Sequence, residues 1–219
     1  MHRYYFKSSF SEFLARSLQD ILGHLTQQQA AAESQQHLAW REQILLLQRC
    51  LVGLTGTIVF EFSIPRMGKR VDCILIIDNR IYVIEFKVGA KHYDRHAIDQ
   101  TMDYALDLKN FHAASHNVSL IPLLICTAAQ GSAINVEFHP DGIAETLLSN
   151  GQNLRAIIAA PCVESSRAII NAEEWLHASY KPTPTIIEAA QALYRGHAVE
   201  EISRADSGAI NLSRTSSVI

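Results

Sequence analysis

Apolar residues recur every three or four positions in the first part of the chain, which predicts two amphipathic helices. The first covers residues 10–25 and follows a Ser9–Glu12 pair that has the spacing of a capping box. The second covers residues 37–54 and ends at two glycines. Between them, residues 27–36 are rich in Gln and Ala and lack an apolar stripe, so they are either a solvated continuation of the helix or a linker.

The period of the pattern then changes from helical to alternating. The even positions of residues 58–64 are apolar, which predicts a strand that ends at Pro65. Residues 71–77 and 81–87 are two further apolar strands, and the turn signal Asp78–Asn79 separates them. Because strands joined by tight loops pair antiparallel, these three strands predict an antiparallel meander.

The second half of the chain continues this mixture of periods. Residues 92–112 return to helical spacing, and the apolar runs 119–128 and 154–160 are typical of buried strands. Together the elements predict an α/β fold with a central mixed sheet flanked by helices. We expect this domain to occupy residues 1–165, followed by a helical extension and linker over residues 166–219.

Two helix starts are predicted in that extension. Asn171 is a suitable cap for a helix over residues 172–180. Thr183 and Pro184 have the pattern of a cap followed by proline at the first helical position, which predicts a helix to Arg195.

Composition narrows the possible classes of function. The chain has 219 residues, 48% of them hydrophobic, and a formal net charge of −3, so it is not a protein that coats nucleic acid through a general basic excess. No apolar run reaches the length of a membrane span, and we expect a cytoplasmic protein. The four cysteines, Cys50, Cys73, Cys126 and Cys162, are widely spaced, which favours small buried residues over a zinc site or disulfides.

An acidic residue followed two positions later by lysine occurs twice. Glu85 and Lys87 lie in a predicted strand, where residues two apart share a face. Asp107 and Lys109 lie in a predicted helix, where residues two apart diverge. The first pair is therefore the candidate for a shared chemical role.

Hairpin geometry adds Asp72 to that candidate. A two-residue loop that begins at Asp78 places Asp72 across from Glu85, and one that begins at Asn79 places it across from Lys87. Either loop puts the three side chains on one face, with directly opposed Cβ atoms about 4.5–5.5 Å apart.

Charged groups in such apolar strands require compensation. Burial of an ion costs several kcal/mol unless the ion is paired, and two carboxylates this close can share one Mg²⁺, with Mn²⁺ as the alternative ion. Such an ion polarises a phosphoryl oxygen and activates water. Lys87 would orient the attacking water and offset negative charge at phosphorus. The competing interpretation is a buried ion pair without catalysis.

These residues resemble the PD-(D/E)XK nuclease superfamily, in which an Asp opens the second core strand and (D/E)xK follows on the third. The QxxxY spacing of Gln100 and Tyr104 on the next helix resembles the RecB-like branch. The resemblance implies a restriction-endonuclease-like core and hydrolysis of nucleic acid, with DNA as the expected substrate. It implies Asp72 and Glu85 as metal ligands, and a catalytic set of Asp72, Glu85, Lys87, Gln100 and Tyr104.

A closer resemblance covers nearly the whole chain. The order of the segments YYFKSSFSEFL, FEFSIPRMGKRVD, EFKVGA and IPLL is similar to the amino-terminal part of bacterial proteins that join such a nuclease domain to a Schlafen-group-3-like helicase. This resemblance implies a covalently linked helicase as a partner. In that family the ATPase begins just beyond the position where this sequence ends, and no GxxxxGK[ST] motif occurs here, so we expect either a nuclease domain separated from its ATPase or a lone nuclease domain.

Further residues are weaker candidates for the site. Glu42, on the second predicted helix, is a candidate extra acid, although a surface charge explains it equally well. Glu61, on the first predicted strand, is a weaker candidate still. Arg66, Lys69 and Arg70 precede Asp72, so we expect them to position phosphates without reading base sequence, the alternative being a solvated loop.

Other metal chemistry and other functions rank lower. The pairs His92–His96 and His112–His116 have metal-ligand spacing but lack the Glu of HExxH, so a zinc site is not predicted. An inactive nucleic-acid-binding module on a nuclease fold would bind DNA without cutting it. A protein-interaction domain would bind neither DNA nor metal.

Overall fold

The computed structural model describes residues 3–29, 34–160 and 169–194. Its centre is a sheet of six strands: β1 Phe6–Ser9, β2 Thr57–Ile64, β3 Lys69–Ile77, β4 Arg80–Lys87, β5 Ser119–Cys126 and β6 Leu147–Ser149. The strands lie in chain order across the sheet. The pairings from β1 to β4 are antiparallel and those from β4 to β6 are parallel. The predicted mixed sheet is confirmed, but the sheet as a whole is not a meander.

Helices cover both faces of this sheet. They are α1 Phe10–Ala15, α2 Leu18–Gln28, α3 Ser34–Cys50, α4 Arg95–Phe111, α5 Leu154–Ala159, α6 Ala172–His177 and α7 Pro184–Tyr194. One hydrophobic cluster joins α1, α2, α3 and α5 to the sheet, and a second joins α4 and α6 to the opposite side. We call these sides the α3 face and the α4 face. The fold is a three-layer α/β architecture, as the class was predicted.

The single helix predicted over residues 10–25 is two helices. The capping box at the start of α1 is present, with the Ser9 side chain accepting from the Glu12 N–H. A second cap interrupts the helix, because the Ser17 side chain accepts from the Asp20 N–H and thereby satisfies a free donor at the start of α2. The apolar spacing continues through the break, so the period alone did not indicate it.

The strand predicted over residues 154–160 is wrong. This segment contains α5, whose buried residues Leu154, Ile157 and Ile158 have the i, i+3, i+4 spacing of one helix face. A short apolar run fits a buried strand or a helix, and only its tertiary contacts decide between them. The outermost parallel position of the sheet is held instead by β6.

The amino terminus adds an edge strand that the pattern did not predict. β1 pairs antiparallel with β2, with Phe6 opposite Phe60. Before β1, the Arg3 carbonyl accepts from the Ser63 N–H at 2.7 Å, and an Arg3 guanidinium nitrogen donates to the Leu176 carbonyl at 2.9 Å. The first residues therefore fasten β2 to the later helices.

Both predicted helix starts in the extension are confirmed. Asn171 caps α6 by accepting from the N–H groups of Glu173 and Glu174, and the Thr183 hydroxyl accepts from the Ile186 N–H at 3.3 Å where α7 begins. Trp175 of α6 is buried on the α4 face. The predicted boundary near residue 165 lies outside the described residues.

The interior agrees with the cysteine prediction. Cys50, Cys73 and Cys126 are free and buried, while Cys162 lies outside the described residues. Of the helices described, none has both the length and the apolar character to cross a membrane.

Gly56 is required by a close approach of chain segments. A Cβ at this position would lie 2.5 Å from the Ile76 carbonyl oxygen and 2.8 Å from the Phe10 ring.

We expect Gly56→Ala to lower the free energy of unfolding, measured by urea denaturation, by about 1–3 kcal/mol, as overpacking does. The matched control is Gly23→Ala in α2, where a Cβ meets nothing within 4 Å. The free energy of unfolding of that variant should rise by about 0.5–1 kcal/mol. An equal change in the free energy of unfolding of the two variants would contradict the steric argument.

Candidate active site

The β3–β4 hairpin decides how the predicted acids face each other. Ile77 pairs with Arg80 and Cys73 pairs with Ile84, so the loop consists of Asp78 and Asn79. The prediction with the loop beginning at Asp78 is confirmed. Asp78 has φ of 52°, in the left-handed region that tight hairpin turns use. Because Cys73 pairs with Ile84, the next position in the same register places Asp72 opposite Glu85.

Asp72 lies where the two strands cease to pair. Its Oδ2 atom accepts a hydrogen bond of 2.7 Å from the Phe86 backbone N–H, which directs the carboxylate toward β4. Burial, followed by the negative charges of Glu85 and Glu61, raises the pKa of Asp72 well above its usual value. The carboxylate therefore sits in a concentration of like charge, where a cation would be strongly stabilising.

Glu85 is the centre of the arrangement. Its exposed fraction is 5%, and its Oε1 accepts from Lys87 Nζ at 2.9 Å and from Gln100 Nε2 at 3.3 Å. Burial raises the pKa of Glu85, and the positive charges of Lys87 and Lys69 counter that rise. Its other oxygen, Oε2, is buried and has no hydrogen-bond partner among the described residues.

Gln100 and Tyr104 lie on one side of α4, as their spacing predicts. Gln100 Nε2 donates to Tyr104 Oη at 2.6 Å as well as to Glu85. Burial and the nearby Glu85 charge raise the pKa of Tyr104 to about 12, so this phenol is protonated at neutral pH. The structure therefore links Lys87, Glu85, Gln100 and Tyr104 through consecutive hydrogen bonds, next to Asp72.

Glu61 is a third carboxylate beside these residues, and the sequence pattern gave it little weight. Its φ of 56° is unusual for a non-glycine residue in a strand. Ile58 and Phe60 pack on the α3 face, whereas Phe62 and Ile64 pack on the α4 face. The predicted alternation along β2 is therefore wrong beyond Glu61, because the backbone reverses its faces at that residue.

The α3 helix holds Glu61 in place. Trp40 Nε1 donates to Glu61 Oε1 at 2.8 Å, and Gln36 Nε2 donates to the same oxygen at 3.3 Å. Burial raises the pKa of Glu61, and the Trp40 hydrogen bond counters that rise. The available signal was an acid inside an otherwise apolar strand. The alternation in the sequence assigned it to the wrong environment.

Glu42, the candidate extra acid, is not brought to this cluster. Its side chain is exposed on α3, while Gln36 and Trp40 of the same helix reach Glu61. Residue 42 therefore occupies a different side of the helix from the two residues that contact the carboxylates.

The three predicted phosphate-positioning residues have different surroundings. Arg66 pairs with Asp107 at 3.0 Å, and its guanidinium lies 3.7 Å from the centre of the Phe111 ring. Arg70 donates to the Glu61 carbonyl at 2.5 Å and lies over the Tyr5 ring. Lys69 is exposed. Both arginines thus contact protein groups, although Arg66 also stays exposed, and the exposed Lys69 is close enough for its charge to act on Glu85.

Residues of the second acidic-x-lysine pair and of the histidine pairs lie apart from the candidate site, in other contacts or at the surface. Asp107 pairs with Arg66, and Lys109 Nζ donates to the Val118 carbonyl at 2.7 Å. His112 is buried beside Ser115, whereas His92 and His96 are exposed. Within residues 3–29, 34–160 and 169–194, no three His, Cys, Asp or Glu side chains converge as a ready metal site.

Comparison of the chain with known proteins finds no relative. No protein-family model matches the chain, and neither the curated proteins nor the solved structures contain a match.

Proposed function

We propose that the chain is a metal-dependent nuclease that hydrolyses phosphodiester bonds of nucleic acid, with Mg²⁺ as its cofactor and DNA as the first substrate to test. Asp72 and Glu85 would hold the ion, and Lys87 would act on the reacting phosphate. The linked helicase and the cytoplasmic location stay predictions from sequence.

The unpartnered Oε2 atom of Glu85 carries this proposal. A buried carboxylate oxygen normally has a hydrogen-bond donor, and the energetic cost of leaving it without one is high. Here Oε1 is fully used by Lys87 and Gln100, while Oε2 is buried without a partner among the described residues. With Asp72 and Glu61 adding negative charge nearby, the missing partner is best supplied by a cation.

The donor set suits Mg²⁺ better than a metal that requires a complete protein cage. Mg²⁺ uses one or two carboxylates and fills its other positions with water and substrate phosphate. Asp72 and Glu85 match that requirement, and no third protein ligand has to converge on them. When bound, the ion would supply Lewis-acid polarisation of a phosphoryl oxygen.

Lys87, Gln100 and Tyr104 have distinct parts in this proposal. Lys87 Nζ is held at 2.9 Å from Glu85 while its side chain stays partly exposed, so it can donate to an attacking water and offset charge that develops on the phosphate. Gln100 orients the Glu85 carboxylate from α4. The protonated Tyr104 hydroxyl accepts from Gln100 and keeps its own proton available for the site.

The deciding experiment is metal-dependent cleavage by the purified chain. Linear DNA, supercoiled DNA and RNA are incubated with Mg²⁺ or with EDTA. We expect cleavage with Mg²⁺, complete loss of cleavage with EDTA, and recovery when Mg²⁺ or Mn²⁺ is restored.

Calorimetry supplies an independent readout of the same site. We expect Asp72→Asn to weaken Mg²⁺ binding by more than about tenfold. Loss of a residue that only hydrogen-bonds to a metal ligand already weakens metal binding about tenfold or more, and loss of a ligand should have a larger effect. Nucleic-acid binding without cleavage would instead support the inactive module. A wild-type chain that neither binds Mg²⁺ nor cuts any substrate would exclude the nuclease.

A further inference from the structure

A groove opens directly beside Lys87. It has a volume of about 960 Å³ and lies between the loop after β4, at Val88, and the first turns of α3 together with the end of α2. Gln29, Gln35 and Gln36 contribute amide groups to its lining. We call it the amide groove.

The lining has the chemistry of a site for a flat, uncharged ring. Leu38 and Val88 have exposed fractions of 60% and 37% and present apolar surface, which suits the face of a base. Glutamine amides offer both donors and acceptors, which suit the edge of a base. Among the described lining residues Lys87 alone carries a charge, so the groove is unsuited to a run of phosphates.

The groove is continuous with the proposed catalytic residues. Lys87 lines the groove and hydrogen-bonds to Glu85 at 2.9 Å. Gln36 also lines it and donates to Glu61 at 3.3 Å. A nucleotide whose phosphate lies at Lys87 would thus have its neighbouring base at the mouth of the groove.

The charge distribution disfavours a duplex as the bound form. Binding to a duplex depends chiefly on cations that contact its phosphates. Here the net charge is −3, Arg70 lies over Tyr5 and donates to the Glu61 carbonyl, and Arg66 is paired with Asp107, which leaves a small basic surface of Lys69 and the exposed part of Arg66. Contacts with bases can supply affinity that phosphate contacts do not, and base faces are accessible only in an unpaired strand.

We propose that the amide groove binds an unpaired nucleobase adjacent to the scissile phosphodiester, so that the chain acts on single-stranded nucleic acid. This inference rests on the proposed nuclease function, because that function places a phosphate at Lys87. The ligand class is the nucleobase of a single strand, in contact with the apolar surface of Leu38 and the amide of Gln35.

Fluorescence anisotropy with short labelled oligonucleotides tests the groove without requiring cleavage. Titrations in Ca²⁺ compare a single strand, its duplex and an abasic strand of equal length. We expect the single strand to bind most tightly and Leu38→Glu to weaken that binding about tenfold or more, in line with loss of one stacked base. Leu45→Glu places the same charge at an exposed position of the same helix, outside the described groove lining, and should bind like the wild type.

An uncharged variant guards against a general effect of the added carboxylate. Gln35→Ala changes an exposed residue and should also weaken single-strand binding. Equal binding of the abasic and normal strands would overturn the proposal, as would unaltered binding by both groove variants or no binding by the wild type. Failure of the nuclease proposal has a different signature, namely groove-dependent binding with no cleavage in Mg²⁺.

Discussion

Replacement of Lys87 by alanine is expected to lower the rate of Mg²⁺-dependent cleavage by a factor of about 10²–10³. The ammonium group lies 2.9 Å from Glu85 Oε1, and in the proposed mechanism it stabilises negative charge in the transition state without binding the metal. Binding of Mg²⁺ should survive. Single-turnover cleavage and calorimetry on the same preparation would show a loss in the chemical step with metal binding retained.

A matched charge deletion makes this result specific. Lys181 is exposed between α6 and α7, and Lys181→Ala removes the same charge away from the acids. We expect that variant to cut at the wild-type rate. Cleavage by Lys87→Ala at an undiminished rate would remove this residue from the mechanism, whatever the metal does.

Acidification is expected to destabilise the fold through His112. The His112 ring is buried, with its centre 4.7 Å from the centre of the Trp175 ring, and its Nδ1 atom lies 2.8 Å from the Ser115 hydroxyl oxygen. Burial, followed by the positive charge of Arg3, lowers the pKa of His112 from 6.5 to about 4. The unfolded chain therefore binds this proton more readily than the folded chain between these two pH values.

The sign and size of the effect follow from linkage. The stability contributed by the neutral ring is fully present above pH 6.5 and is lost progressively as the pH falls to about 4. The loss amounts to about 3–4 kcal/mol, because each pKa unit between 6.5 and about 4 corresponds to about 1.4 kcal/mol. Urea denaturation of the wild type at several pH values would measure it.

Variants isolate His112 from the carboxylates that titrate in the same range. His112→Gln removes the titrating ring, so the unfolding free energy of this variant should fall by about 3–4 kcal/mol less than that of the wild type over this interval. His92 is exposed, and His92→Gln is a matched surface control that leaves the buried ring of His112 in place. If His112→Gln lost stability with acid as steeply as the wild type, another group would be responsible.

The juxtaposition of Asp72 with Glu85 was accessible from sequence because it depends on local rules. A tight turn at Asp78 sets the register of two consecutive strands, and the register then aligns residues on either side of the loop. The QxxxY pair on α4 follows equally from helical spacing. That these two elements meet at Glu85 depends on how α4 packs against β4, which the hairpin and helix rules do not specify.

The reversal of faces at Glu61 and the helix α5 were not predicted, for a different physical reason. Alternation predicts faces only while each residue stays in the extended region, and the φ of 56° at Glu61 breaks that condition. The apolar run of α5 satisfies helix and strand equally over so few residues, and its position beside α3 decides the outcome. β1 was missed because a strand of four residues is too short to establish a period.

The reversal at Glu61 gives the three neighbouring acids Glu61, Asp72 and Glu85, here called the acidic cluster, contacts with both outer layers of the protein. Trp40 reaches it from the α3 face, and Gln100 reaches it from the α4 face. A sheet with uninterrupted alternation would have kept these helices electrostatically separate. Here the start of α3 holds Glu61 while α4 holds Glu85, and the charge of Glu85 adds to the rise in the pKa of Glu61, so the two outer layers interact electrostatically through this pair of carboxylates.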